Sequence, residues 1–244
     1  MALHATASPC TTMTTNTRDV QVLATGPAPT ASIIVLHGLG ADGNDFVPIC
    51  DELDLSAVGP VRYVFPHAPV RPVTLNGGMP MRAWYDILGP GGKFGEDEPG
   101  LRQSAAAVQA LLDREAARGI APARTVLMGF SQGCAMTLLA GLRAPQRLAG
   151  LVGLSGYLPL LGATATERHD VAGRELQIRR QAPFGHRDDV LGQHLVMNVA
   201  AREQLRQRMT DHFADAQLAL VGTGGFCGFC HGSRSPGSDR MDGR

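Results

Sequence analysis

Gly129-Phe130-Ser131-Gln132-Gly133 is the stretch of this chain best suited to covalent chemistry. A serine hydroxyl attacks a carbonyl only when the backbone holds it clear of its neighbours and donors wait for the anion that forms. Glycines two positions to either side keep side chains out of the turn and allow Ser131 a sharp conformation. The chain holds 30 glycines, so the pentapeptide alone could arise by chance and its flanks have to decide. Thr125-Val126-Leu127-Met128 has strand character, and Cys134 to Ala140 is an apolar run of buried-helix type, giving strand, turn, helix. A helix beginning at Gln132 aims its positive end at the serine, and the Gln132 N–H becomes a candidate oxyanion donor.

A second donor is expected at Leu39. Ser32-Ile33-Ile34-Val35-Leu36 is a short β-branched run of the kind buried on both faces in a parallel sheet, and it ends in His37-Gly38-Leu39-Gly40-Ala41-Asp42-Gly43. A glycine-rich loop straight after such a strand brings backbone N–H groups close to a ligand. His37 closes the strand and reads as a brace for this loop through its ring hydrogen bonds rather than as a catalytic base.

The elements that must carry these loops alternate. Asn44 to Leu53 is read as an amphipathic helix with Phe46, Ile49, Cys50 and Leu53 on its inner face. Val61-Arg62-Tyr63-Val64-Phe65 is the next strand, ended by the prolines from Pro66 on. The segment from Pro66 to Tyr85 exceeds an ordinary connection and reads as one wall of a substrate groove. Met79 and Trp84 would give that wall an apolar surface for an acyl chain, with burial in the core as the alternative for Trp84. A helix is predicted over about Pro99 to Arg118, stopped by Gly119, and a further buried strand over Leu148 to Leu154. Strands and helices in this order predict an α/β fold with an open, mostly parallel sheet and helices on both faces.

Composition narrows the classes. Lys+Arg and Asp+Glu both total 22, so net charge recommends neither nucleic acid nor an anionic membrane surface as a partner. No apolar stretch reaches the roughly 18 residues of a membrane span, and the start carries no secretory signal, so a soluble protein is expected. Five cysteines, an odd number, show no disulfide framework, which suits the reducing cytoplasm.

Leu36-His37-Gly38-Leu39-Gly40, Phe65-Pro66-His67-Ala68-Pro69 running on to Arg82-Ala83-Trp84-Tyr85-Asp86, the Ser131 pentapeptide and Leu154-Ser155-Gly156-Tyr157-Leu158-Pro159 occur in one order. Together they resemble the bacterial carboxylesterase, or phospholipase/carboxylesterase, family of α/β-hydrolases, which includes acyl-protein thioesterases and lysophospholipases. The resemblance implies Ser131 as nucleophile, the amides of Leu39 and Gln132 as oxyanion hole, no cofactor, and short- to medium-chain carboxylic esters or thioesters as substrates. Small homodimers are common in the family. On this reading residues 1–30 are a flexible leader with a short edge strand at Val20 to Leu23, 31–221 are the α/β-hydrolase domain, and 222–244 are an atypical, poorly ordered tail.

The other triad members are expected downstream, acid before histidine. Phe184-Gly185-His186-Arg187-Asp188-Asp189-Val190-Leu191 keeps the spacing of the family's acid motif and makes Asp188 the acid, with Asp189 second. The run before it, Arg174 to Gln181, is charged where the family has an apolar strand. His231 follows a candidate last strand, Gln217 to Val221, and is the candidate base in surroundings that depart from the family. Cys227-Gly228-Phe229-Cys230-His231 also has c-type haem spacing, but an α/β body offers no haem pocket, and a zinc site would lack its second pair. The loss of pattern before Pro183 and in the tail matches a GC-rich gene read out of frame over short distances, and resequencing around codons 163–184 and beyond 207 tests it. The opposed class is a hydrolase-shaped protein with an exposed serine and no base.

Overall fold

The structure, a computed structural model, describes residues 19–89 and 95–169. Strands β1 (Val20–Ala24), β2 (Ala31–Leu36) and β3 (Val61–Pro66) are followed by a short hairpin, β4 (Val70–Pro72) and β5 (Pro80–Arg82). Between β2 and β3 lies α1 (Ile49–Glu52). Beyond the hairpin come α2 (Glu98–Ala117), β6 (Thr125–Phe130), α3 (Gln132–Arg143), β7 (Gly150–Leu154) and α4 (Leu161–Glu167).

The main sheet has the order β1-β3-β2-β6-β7, with β1 antiparallel to β3 and the remaining pairs parallel. Period-two alternation along β2 explains why every residue of that strand is apolar or small: Ile34 and Leu36 face one core layer, Ile33 and Val35 the other. The first layer packs beneath α2 and α3 through Leu101, Val108, Met136 and Leu139. The second is covered by Phe46, Ile49, Cys50 and Leu53. The direction in which strands are added reverses at β2: β3 lies on one side of it and β6 on the other, which opens a crevice at the carboxyl ends of β2 and β6.

The edge strand read at Val20 to Leu23 is present as β1, so the sheet takes in residues over which a leader was expected. The expected helix from Asn44 to Leu53 is interrupted. Asp42 caps a 3-10 turn over Gly43–Phe46, accepting from Asn44 N at 2.7 Å, and the chain restarts as α1 after Pro48, which has no N–H to continue the ladder. The apolar face survives the break, and Cys50 is core as expected. The long connection from Pro66 to Tyr85 is likewise more ordered than a loop. β4 and β5 pair antiparallel, and the Asp86 carboxylate accepts from Thr74 N at 2.7 Å and from Thr74 Oγ1 at 2.6 Å.

Helix α2 begins where the acidic residues and proline predict. Asp97 caps it by accepting from Gly100 N at 3.0 Å, and Gly119 ends it at φ +92. Glu115, buried on its inner face, pairs with Arg62 of β3 at 3.2 Å, so the charge is compensated. Among the described residues no helix is long and apolar enough to cross a membrane.

Candidate active site

Ser131 sits between β6 and α3 at φ 52, ψ −115, a region that side-chain-bearing residues rarely occupy. Its backbone is held from both sides: Ser131 N donates to Leu154 O at 2.8 Å, and Ser131 O accepts from Ala135 N at 3.2 Å. The residue is half-buried at the crevice. Both flanking glycines are obligatory on steric grounds. A Cβ on Gly129 would lie 2.2 Å from Gly133 O, and one on Gly133 would lie 2.0 Å from Leu36 O.

The second close approach comes from the loop after β2. A Cβ on Gly38 would lie 3.4 Å from Ser131 Cβ, so this loop passes directly against the serine. That follows from the register, since Leu36 pairs with Gly129 and the two strands release their chains side by side. Leu39 is partly exposed there. Among the described residues no acceptor takes the backbone N–H of Leu39 or that of Gln132. Two such amides beside a strained serine, one at a helix start, can stabilise negative charge on an oxygen bound between them.

His37 is fully buried and braces the loop. Nδ1 lies 2.7 Å from Gly38 O, which can only accept, and Nε2 accepts from Ala68 N at 2.9 Å. That pattern fixes the neutral ring with its proton on Nδ1. Burial lowers its pKa to about 4, against a smaller raising effect of the Gly38 carbonyl. Both nitrogens are engaged away from Ser131, as a brace requires.

Trp84 is buried, with Nε1 donating to His37 O at 2.9 Å and its ring centroid 5.3 Å from that of His37. Its O accepts from Ser104 of α2. Of the two roles weighed for Trp84, the packing matches the core one. Met79, at the hairpin turn, is 61% exposed and keeps an apolar surface toward solvent. Asp188 and His231 lie outside the described residues. His169, another downstream histidine, is bonded through its N to Leu142 O at the far end of α3, about 15 Å of helix away from Gln132.

Sequence reasoning missed the side chain of Gln132. Oε1 accepts from Trp84 N at 2.8 Å and Nε2 donates to Tyr85 O at 2.7 Å, so the residue after the serine also holds the Pro66–Tyr85 segment in place. The motif containing Gly156 was recognised but its packing role was not: a Cβ there would lie 2.9 Å from Ser131 O and 2.5 Å from Cys134 Cβ. The glycine following a buried strand beside the motif was the available signal. Burial pushes the Cys134 thiol up to about 11, so it stays neutral and offers no competing nucleophile.

A glycine-flanked serine between strand and helix, at the point where a parallel sheet reverses its order, defines an α/β-hydrolase. The profile of the Phospholipase/Carboxylesterase family matches residues 18–216, and the chain belongs to that family. The chain is similar to acyl-protein thioesterase 1 of Schizosaccharomyces pombe, 46% identical over 133 residues, covering 54% of this chain and 58% of the relative. Acyl-protein thioesterase 1 of Yarrowia lipolytica is 39% identical over 135 residues, 54% of this chain and 60% of the relative. The matched stretches therefore span about six-tenths of these relatives' own length. Among solved structures, Arabidopsis thaliana SOBER1 superposes with a TM-score of 0.57 at 26% identity, covering 84% of this chain and 91% of that one.

Proposed function

We propose that this protein hydrolyses carboxylic esters and thioesters through an acyl-enzyme on Ser131. The observation that carries the reading is the strained serine with two amides beside it, Leu39 N and Gln132 N, that no acceptor takes among the described residues. In the proposed reaction a histidine, assigned to His231 and oriented by Asp188, takes the Ser131 proton as Oγ attacks the acyl carbon. The Leu39 and Gln132 amides hold the resulting oxyanion. Collapse breaks the bond to the alcohol or thiol, which leaves with the proton, and water attacks the acyl-enzyme by the same route. Met79 supplies apolar contact for the acyl chain, while Trp84 supports the loop from beneath.

The reading covers short- to medium-chain acyl groups, and the names of the Schizosaccharomyces pombe and Yarrowia lipolytica relatives favour a thioester among the substrates. A fluorophosphonate probe tests the nucleophile: labelling of the full chain that disappears in Ser131→Ala is expected, and labelling that is absent or unchanged sinks the proposal. p-Nitrophenyl esters of increasing chain length, run beside an acyl thioester followed by thiol release, then rank the substrates. Asp188→Asn and His231→Ala test the proton relay in the same assays.

A further inference from the structure

Trp84 and Ala68 line a cavity of about 470 Å³ whose described lining includes none of Ser131, Leu39 or Gln132. Its lining includes Asp19, His67, Arg71, Arg82, Gln103 and Arg114, with Ser104 engaged by Trp84 O. The fold gathers these residues from separate elements. Arg71 and Arg82 sit on the paired strands β4 and β5, one register step apart. Gln103 and Arg114 are spaced by three helical turns and share a face of α2.

Among the described residues three guanidinium groups line the cavity against one lining carboxylate, Asp19, and even with Asp97 beside Arg71 the cations stay in excess. Their internal partners do not use up the donors. Arg82 donates one bond to Ala68 O at 2.9 Å. Arg71 reaches Gln103 Oε1 at 3.4 Å and stands 3.9 Å from Asp97, while its Nε is buried without a partner. Among the described residues the Arg114 guanidinium makes no hydrogen bond or ion pair. His67 Nδ1 accepts from Gly43 N at 3.0 Å, which places the proton of the neutral ring on Nε2 as a further donor. A buried, unsatisfied donor and an excess of cations both cost free energy that a bound anion would recover.

We propose that this cavity binds a small organic phosphate monoester. The phosphate carries about −1.5 to −2 charge at neutral pH and three acceptor oxygens, which match the excess charge and the guanidinium forks. Val20, Pro66, Val70 and Leu111 line the same cavity and give the organic part an apolar wall. The site is independent of the hydrolase reading.

Isothermal titration of the full chain with phenyl phosphate, and with benzoate as a monoanion of similar ring, tests the proposal. Saturable binding of phenyl phosphate is expected, at least about tenfold tighter than benzoate and weakened by salt. Arg114 is exposed, so Arg114→Gln should fold normally, and a loss of at least about fivefold in affinity is expected there or in Arg71→Gln. Ser131→Ala should bind like the wild type. Absence of saturable heat up to ~10 mM, equal affinity for benzoate, or wild-type affinity in both arginine variants overturns the proposal. Loss of binding in Ser131→Ala does so too, because it would put the anion at the serine.

Discussion

Gln132 holds Trp84: Oε1 of the glutamine accepts from the tryptophan backbone N at 2.8 Å, and its Nε2 donates to the next carbonyl, Tyr85 O, at 2.7 Å. One residue thereby links the helix that starts beside the serine to the segment that carries the hairpin. Trp84 passes the link on, since its Nε1 donates to His37 O and so fixes the loop bearing Leu39. Loop position and helix start are set by one bonded chain of groups.

Gln132→Ala keeps the backbone N–H but strands two buried partners, Trp84 N and Tyr85 O. Each unsatisfied group costs about 1–3 kcal/mol, so urea unfolding should show a loss of roughly 2–6 kcal/mol. Gln132→Glu keeps an acceptor for Trp84 N but buries a carboxylate whose second oxygen faces Tyr85 O, and its midpoint should fall at least as far as that of Gln132→Ala. Equal midpoints for all three proteins would refute the clamp.

The glycines separate cleanly by environment. Gly133→Ala puts a methyl 2.0 Å from Leu36 O, a backbone atom that cannot yield, and should cost more than about 4 kcal/mol or abolish folding. Gly162→Ala, in α4 with nothing within 4 Å, should be neutral or stabilise by up to about 1 kcal/mol. Thermal melts of the pair provide the check, and similar melts for both would contradict the packing.

Ser131 stores strain at φ 52, ψ −115. Ser131→Gly should raise stability by about 1 kcal/mol, because glycine adopts this region without the steric penalty. On the proposed mechanism the same variant should lose ester-hydrolysis turnover by on the order of a millionfold. Calorimetry beside the p-nitrophenyl ester assay reads both, and a destabilised Ser131→Gly would show that the turn is not strained.

His37 gives the fold a pH dependence. Burial lowers its folded pKa to about 4 from the usual 6.5, so between these values the unfolded chain binds a proton that the native ring does not. The contribution of His37 to stability is complete above pH 6.5 and falls by about 1.4 kcal/mol per unit as pH drops toward 4. Protonation would also turn Nε2 from an acceptor into a donor facing Ala68 N–H. Urea unfolding at pH 7.0, 5.5 and 4.5 should show this slope in the wild type and lose it in His37→Gln; equal slopes would place the titrating group elsewhere.

Much of the α/β framework was written in local pattern. The β-branched run Ser32–Leu36 and the apolar run Thr125–Met128 both read as strands, and Gly129 with Gly133 marks a turn that admits no side chain. His37 as a brace was legible because it closes such a strand. The break at Pro48 was misread because the apolar face repeats at helical spacing on both sides of it, and periodicity registers faces rather than hydrogen bonds. The hairpin in Pro66–Tyr85 was missed because each strand is only three residues long, too short to show alternation.

Sequence alone settled which residue types stand where: a serine between glycines, a glycine loop after the first central strand, a chain of alternating strands and helices. Their partners across the fold were decided in three dimensions. The bond from Gln132 to Trp84 spans 48 residues, and that from His37 to Ala68 spans 31. Arg71, Arg82 and Arg114 meet across one cavity only because the hairpin packs beside α2. Local pattern records each residue's own backbone preference and burial, whereas a side chain's partner depends on which strands lie next to each other, and only the folded sheet fixes that.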